Sequence, residues 1–362
     1  MGRIVGAPQG RVHRLCVSWA IHRTASADVP GAWKSEHVRM LTGSDSSWHD
    51  SLISVGWHRR AGSEQVFYAA LEAGRLHRLG PGVAMSSELW NALKPEAQHR
   101  AVVRATWMRY PDEGPFSHLS AIALWELPIL DPLPPRAEVL APRTTGGRSR
   151  RGLARHCLGV PDRIEQIDGL PVTELARSVI DACVVSSFSA GVALADAALA
   201  WAAPELGTVA SIRTTGEELL AEFETATFSA GRARCRRVLE FADGRSGSAG
   251  ESWSRAAIHF LGFPPPQLQV RFADAFGLIG YVDFYWEEYG VIGEFDGFGK
   301  YLREELRNGR TVAQVVIDEK VREDRLRACG LRVTRWGWSE LRSLGMLERK
   351  LRAAGLPQRR RF

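Results

Sequence analysis

Three acidic side chains set in apolar surroundings are the residues of this sequence best placed to do chemistry. Asp283 lies in Gly280-Tyr-Val-Asp-Phe-Tyr285, and Glu294 and Asp296 lie in Val291-Ile-Gly-Glu-Phe-Asp-Gly297. Both segments are rich in β-branched and aromatic residues and read as short strands. Side chains two apart on a strand share a face, so Glu294 and Asp296 point one way and Phe295 the other. A hairpin closed across Trp286 to Gly290 brings Asp283 onto the same face. Carboxylates gathered this closely repel one another unless a cation lies among them, and oxygen donors of this kind suit Mg²⁺ or Mn²⁺. Such a cluster is suited to phosphodiester hydrolysis, in which the ion activates water and offsets charge on phosphorus. Glu251, upstream in the first turn of a helix, completes the expected metal set of Glu251, Asp283, Glu294 and Asp296.

Each residue also has a purely structural reading. A glutamate in a first helical turn suits the helix dipole, a strand-end aspartate accepts backbone N–H groups, and Asp296-Gly297 is a turn signal. Glu294 is the hardest to explain in this way. It stands between Val-Ile-Gly and Phe, where burial without a partner costs several kcal/mol.

The elements that must position these groups follow from their flanks. Gly250-Glu251-Ser-Trp-Ser-Arg-Ala-Ala-Ile-His-Phe-Leu261 reads as a helix leaving a Gly/Ser-rich stretch. Asp318 to Gly330 reads as a charged helix stopped by glycine, and Leu331 to Trp336 as a strand. This order of helix, three strands, helix and strand resembles the restriction-endonuclease-like (PD-(D/E)XK) nucleases. Within them it is most similar to the very-short-patch-repair-type group called domain of unknown function 559. The resemblance is carried by Glu251, Val282-Asp283-Phe284, Glu294-Phe-Asp296-Gly297, Arg322 to Gly330 and Val333 to Trp338, and it covers the last third of the chain. It implies an α/β domain with a central mixed sheet, and Asp283, Glu294 and Asp296 as catalytic positions. The third catalytic position of the superfamily is usually lysine, and this chain has Asp296 there. The histidine that often follows the Asp-Gly turn is replaced by Gly299-Lys300, so Lys300 or Lys320 is the expected substitute cation.

A chain of 362 residues, 45% hydrophobic and 24% charged, is expected to form two or three globular domains. The longest apolar stretch, Phe188 to Ala203, carries Asp196 and reads as a buried helix, short of the roughly 20 residues that span a bilayer. No secretory signal follows the first residues, which points to a cytoplasmic protein; Met40 is a second potential start. Five widely spaced cysteines without a Cys-x-x-Cys pair argue for reduced thiols rather than a zinc ribbon. The net charge of +6 and a pI near 9.3 favour a polyanionic partner, nucleic acid being the commonest.

Residues 1–48 show no sustained periodicity and are expected to be poorly ordered. Residues 49–95 contain a helix from a Ser63 cap to Gly74 and then an alternation about Gly80-Pro-Gly82. This reads as a winged-helix remnant with Arg75 and Arg78 on the wing, or as a plain helix-hairpin cap. Residues 96–242 read as an α+β unit. It has helices over 97–110 and 117–127, a strand over 137–141, a basic loop with Arg143, Arg148, Arg150 and Arg151, and a helix capped by Thr173. The Ser-His-x-Ser-Ala helix, Val-Leu-Ala-Pro-Arg, the basic loop and Asp-Gly-Leu-Pro-Val-Thr look like the AbiEi family of antitoxin-type regulators. That resemblance implies a preceding winged helix, DNA binding, sometimes repression, and a cognate toxin as partner. Ser117, His118 and Ser120 lack a nucleophile-elbow motif and read as a helix cap beside a partly buried histidine.

Two amphipathic helices over 208–242 carry Arg232, Arg234, Arg236 and Arg237, facing either nucleic acid or solvent. Residues 243–250 read as a hinge, and 251–362 as the nuclease-like domain, ending in a helix capped at Trp338-Ser339 and a basic tail. The phosphate-contacting set is therefore Arg75, Arg78, Arg143, Arg148, Arg150, Arg151 and Arg322. Two functions remain open: a Mg²⁺- or Mn²⁺-dependent endonuclease fused to a DNA-binding regulatory module, and a non-catalytic DNA-binding regulator with a degenerate nuclease fold.

Overall fold

The computed structural model describes residues 51–145, 149–199, 214–228, 230–297 and 312–359. Expectations for residues 1–48, Arg148, Lys300 and the last three residues lie outside that range. The first described unit runs β1 (Ile53–Ser54), α1 (Val55–Arg60), α2 (Glu64–Glu72), β2 (Leu76–Gly80) and β3 (Val83–Ser86). Its three strands form an antiparallel sheet in the order β1-β3-β2. Gly74, at φ +68°, follows the end of α2 as expected. Ser63 occupies the cap position, but its hydroxyl lies 2.9 Å from His58 Nδ1 and makes no bond to the helix N–H groups. Helices α3 (Ser87–Ala92) and α4 (Pro95–Arg109) follow. Ala101 and Ala105 of α4 pack on Leu79, Val83 and Met85 of the hairpin.

The middle unit holds α5 (His118–Leu124), a parallel pair of β4 (Ala137–Leu140) and β5 (Leu153–His156), and an antiparallel pair of β6 (Ile164–Ile167) and β7 (Leu170–Thr173). Four helices complete it: α6 (Leu175–Val185), α7 (Phe188–Leu199), α8 (Gly216–Thr225) and α9 (Arg232–Phe241). Thr173 ends β7, Glu174 takes the cap position of α6, and the threonine hydroxyl instead meets Ser178 Oγ at 2.7 Å. The arginines of α9 lie along its surface, with Arg234, Arg236 and Arg237 exposed. Arg232 sits 4.4 Å from the centre of the Phe223 ring, Arg237 lies over Phe188, and Arg234 donates to the carbonyls of Val184 and Ser186 at the end of α6. Arg236 lies 5.6 Å from the centre of the Phe223 ring as well, so each of the four has a cation–π or helix-end contact.

The C-terminal unit comprises α10 (Ala249–Phe260), β8 (Gln267–Asp274), β9 (Gly277–Trp286), β10 (Val291–Phe295), α11 (Val312–Ala328), β11 (Arg332–Trp336), α12 (Trp338–Arg342) and α13 (Leu344–Ala353). Its mixed sheet has the order β11-β10-β9-β8, with β10 and β11 parallel and the other neighbours antiparallel. One core gathers Ile258 of α10 with Phe284, Trp286, Phe295, Trp336, Leu341 and Leu347. A second joins Leu326 of α11 to Phe272, Val282, Tyr285 and Ile292. The molecule is thus a mixed α+β protein with several small sheets and one mixed four-stranded sheet near its C-terminal end.

Two glycines are required by packing in this unit. A Cβ on Gly293 would fall 2.5 Å from the Trp336 ring, and one on Gly250 would fall 2.0 Å from Phe295. Helix α11 begins at Val312, ahead of the expected Asp318, because the apolar residues before it continue the helix. The expected final helix is two, broken at Ser343. The first starts after Gly337, whose N–H donates to Glu340 at 3.0 Å.

The expected hinge is a braced turn. Asp243 N–H donates to Asp196 Oδ1 at 2.7 Å, and Ser248 Oγ accepts the Glu251 N–H to cap α10. Helix α10 packs against α7, with Arg255 Nη2 at 2.8 Å from both carboxylate oxygens of Asp196. It is therefore shared between the middle unit and the C-terminal sheet.

Candidate functional site

The strand registers assemble a polar row across the four-stranded sheet. Gly293 pairs with Phe284 and Ile292 with Tyr285, so one step further sets Glu294 opposite Asp283. Glu294 pairs with Arg335 across the parallel contact. On the other side, Leu268 pairs with Phe284 and Val270 with Val282, which leaves Gln269 opposite Asp283. The row reads Gln269, Asp283, Glu294, Arg335, one residue per strand.

Alternation fails at the Gln269–Asp283 step. Leu268 and Phe284 belong to the core under α10, whereas Val270 and Val282, only two residues away, belong to the core under α11. Both strands change faces there together, and Gln269 takes φ +50° to do so. A left-handed backbone at a residue other than glycine costs about 1–3 kcal/mol.

Glu251 reaches this step from the first turn of α10. It is only 4% exposed and accepts from Gly247 N–H, Ser248 Oγ and Gln269 Nε2, each at 2.8 Å. The same Gln269 nitrogen lies 3.3 Å from Asp283 Oδ1, and the other Asp283 oxygen accepts Phe295 N–H at 2.9 Å. Two carboxylates from different elements thus face one amide.

Glu294 is held differently. Its oxygens lie 2.8 Å from Arg322 Nη1 and 3.1 Å from Arg335 Nη2, and Arg322 also donates to the Tyr281 carbonyl. Arg335 extends the array to Glu319 and to Glu323 of α11. Burial raises the Glu294 carboxyl above the ordinary range, the two guanidinium groups oppose this, and the neighbouring Asp283 charge adds to the rise. Its Oε1 meets no well-aligned N–H despite the short approach to Arg322, so the contact is chiefly coulombic. The partner that burial of Glu294 demanded is therefore a pair of arginines.

The other candidates are spread more widely. Asp296 is half-buried just beyond β10, and its N–H donates to the Trp336 carbonyl at 2.8 Å. Lys320 is exposed on α11 in a shallow groove shared with Glu319, Glu323, Asp324, Arg327 and Arg335. Arg75 and Arg78 are exposed, Arg78 on β2. Arg143 bonds Thr227 and the Leu158 carbonyl, and Arg150 pairs with Glu113 at 3.0 Å over the Tyr110 ring. Arg151 is exposed. Gln269 and Arg335 are not among the expected site residues, although Arg335 lies within the Val333 to Trp338 stretch; strand register brings both into the row.

Among the described residues, no three carboxylate, imidazole or thiol groups gather closely enough to hold a metal ion. The four-carboxylate set is therefore not assembled, since Glu294 is neutralised by arginines. Glu251, Asp283 and the Gln269 amide still fit a smaller site. Mg²⁺ commonly takes one or two protein carboxylates and fills its shell with water and phosphate oxygens, and an amide can present nitrogen or oxygen.

A second polar cluster is largely buried, with His156 at its partly exposed edge. Ser117 Oγ lies 2.9 Å from His118 Nδ1 rather than capping α5, and the His118 ring stacks on His156 at 3.7 Å. His156 reaches Glu138 Oε1 at 3.2 Å, and Ser120 Oγ lies 2.9 Å from His99 Nε2. Both serines are fully buried, and His118 is buried rather than half-buried as expected. Burial holds the His118 imidazole well below its usual range, with His156 and Arg177 adding to the effect. A nucleophilic role has no solvent-facing serine to use.

No helix among the described residues is long and apolar enough to cross a membrane. No family model matches the chain. It is 32% identical over 105 residues to the Uncharacterized protein MT2308 of Mycobacterium tuberculosis (strain CDC 1551 / Oshkosh), and equally to the Uncharacterized protein Rv2248 of strain ATCC 25618 / H37Rv. The matched segment covers 26% of this chain and 39% of each relative, so the chain spans well under half of either protein.

Proposed function

We propose that the C-terminal unit is a restriction-endonuclease-like phosphodiesterase that uses Mg²⁺ or Mn²⁺ to cut DNA, joined to an antitoxin-like DNA-binding module. The observation that carries this reading is the pair of carboxylates, Glu251 and Asp283, within hydrogen-bond distance of one amide nitrogen. The mixed sheet and the crossover through α11 support it, because they set Asp283 and Glu294 side by side as the sequence resemblance requires. A bound divalent ion would activate water and draw charge from the phosphate. Glu251 and Asp283 would hold it, the Phe295 N–H orients Asp283, and the Ser248 hydroxyl orients Glu251. Arg322, at the edge of the same row, places positive charge where a phosphate would approach. In the N-terminal unit the exposed Arg75 and Arg78 suit backbone phosphates. A cytoplasmic setting and a toxin partner belong to the same proposal.

The second reading, a non-catalytic DNA-binding regulator, is favoured by Asp296 at the lysine position and by the neutralised Glu294. Incubation with supercoiled plasmid and oligonucleotides, with and without Mn²⁺, separates the two. Nicking that needs Mn²⁺ and vanishes in Asp283→Ala and Glu251→Gln supports the nuclease. DNA binding without cleavage selects the regulator, and cleavage that survives Asp283→Ala rejects this site.

A further inference from the structure

We infer that Gln269 is the positioning residue of the Glu251–Asp283 pair, and this assignment rests on the nuclease reading above. Its side chain is the shared contact, with Nε2 at 2.8 Å from Glu251 Oε2 and 3.3 Å from Asp283 Oδ1. A primary amide carries two N–H groups, so one nitrogen can serve both acceptors at once. An ammonium would pair permanently with the carboxylates and exclude an ion, whereas a neutral amide screens them and can turn its oxygen toward a cation.

The backbone argues the same way. Gln269 adopts φ +50° in mid-strand at the point where β8 and β9 change faces together. Glycine would take that conformation without strain, yet the position holds a long amide. The strain is retained along with a side chain that joins the α10 carboxylate to the β9 carboxylate.

Four variants of the full chain separate side chain from backbone and close the cycle: Gln269→Ala, Gln269→Gly, Glu251→Gln, and Gln269→Ala combined with Glu251→Gln. Calorimetric titration with Mn²⁺ alone reads the site without relying on cleavage. If Gln269 positions the pair, Mn²⁺ affinity falls about tenfold in Gln269→Ala and in Gln269→Gly, as loss of an outer partner of a metal site usually does. The glycine variant unfolds at a higher temperature than the alanine variant because its backbone is relaxed. The Ala substitution lowers the unfolding midpoint by about 5 °C in the parent chain. Once Glu251 is neutral it lowers the midpoint by less than half as much. Unchanged Mn²⁺ affinity, or additive effects of the two substitutions, overturns the assignment. A parent chain that binds no Mn²⁺ but shows the coupling overturns the nuclease reading and leaves the positioning of the pair standing.

Discussion

Removing Asp196 should unlock the helix on which Glu251 is carried. The Asp196 side chain is 1% exposed and Arg255 10% exposed, with Nη2 at 2.8 Å from both carboxylate oxygens. Arg255 Nη1 also donates to the Phe241 carbonyl at 2.6 Å, and its guanidinium lies 4.3 Å from the centre of the Phe241 ring. Burial pushes the Asp196 carboxyl up, and Arg255 together with the Asp243 N–H pulls it back, so the pair is held together at the cost of desolvating both charges. Taking away one member of such a pair leaves a buried charge uncompensated and costs about 3–5 kcal/mol. With a urea slope of about 3 kcal/mol per molar, Asp196→Ala should lower the unfolding midpoint by roughly 1–1.7 M. Asp196→Leu with Arg255→Met, which removes both charges and keeps volume, should recover most of that loss. Tryptophan fluorescence and far-UV circular dichroism followed together supply the measurement, since Trp125 and Trp336 report on different cores. An Asp196→Ala chain that loses less than about 1 kcal/mol would show the pair to be solvated, as surface ion pairs are, and would refute the buried bridge between α7 and α10.

Other expectations follow from the same reasoning. Glu294→Gln leaves Arg322 and Arg335 facing each other without the carboxylate between them; stability should drop by about 2–4 kcal/mol in a denaturant titration. His99 is buried beside Ser120, and desolvation lowers its imidazole to about 4 from 6.5, against a weaker opposing bond to Pro134. Its folded value lies below the unfolded one, so stability is fully present above pH 6.5 and is lost as pH falls toward 4, by about 3 kcal/mol in all. Asp181, raised to about 6 by burial against the pull of Arg177, acts with the opposite sign. The readout is therefore the difference between parent and His99→Asn, whose thermal profile should be flatter between pH 4 and 6.5. Arg75→Ala and Arg78→Ala should each reduce the salt dependence of duplex binding by about one phosphate contact, measured by fluorescence anisotropy. An unchanged slope would remove the hairpin from the DNA interface.

Much of the C-terminal unit was legible because its signals are local. β-Branched and aromatic residues mark β9 and β10, and a glycine marks the end of α11. The hydroxyls of Ser63, Ser117 and Thr173 do not cap because each meets a side chain one to five residues away, a local competition that the cap pattern alone does not rank. The neutralisation of Glu294 was equally hidden. Arg322 lies on the crossover helix and Arg335 beyond it, and the parallel register of β10 and β11 brings Arg335 alongside. The arginines of α9, open to nucleic acid or to solvent on sequence grounds, also contact phenylalanine rings, and Arg234, Arg236 and Arg237 remain exposed.

The side-chain crossover at Gln269 and Asp283 gives the β8–β9 hairpin two phases joined at one rung. A single-residue insertion on one arm below that rung would shift only the lower half, turning Leu268 or Phe284 toward water while the upper half kept its grip on α11. Tolerance to length changes should therefore be lost near the rung and return at the exposed tip around Phe276, which makes the hairpin a measuring rod for where the carboxylates may stand.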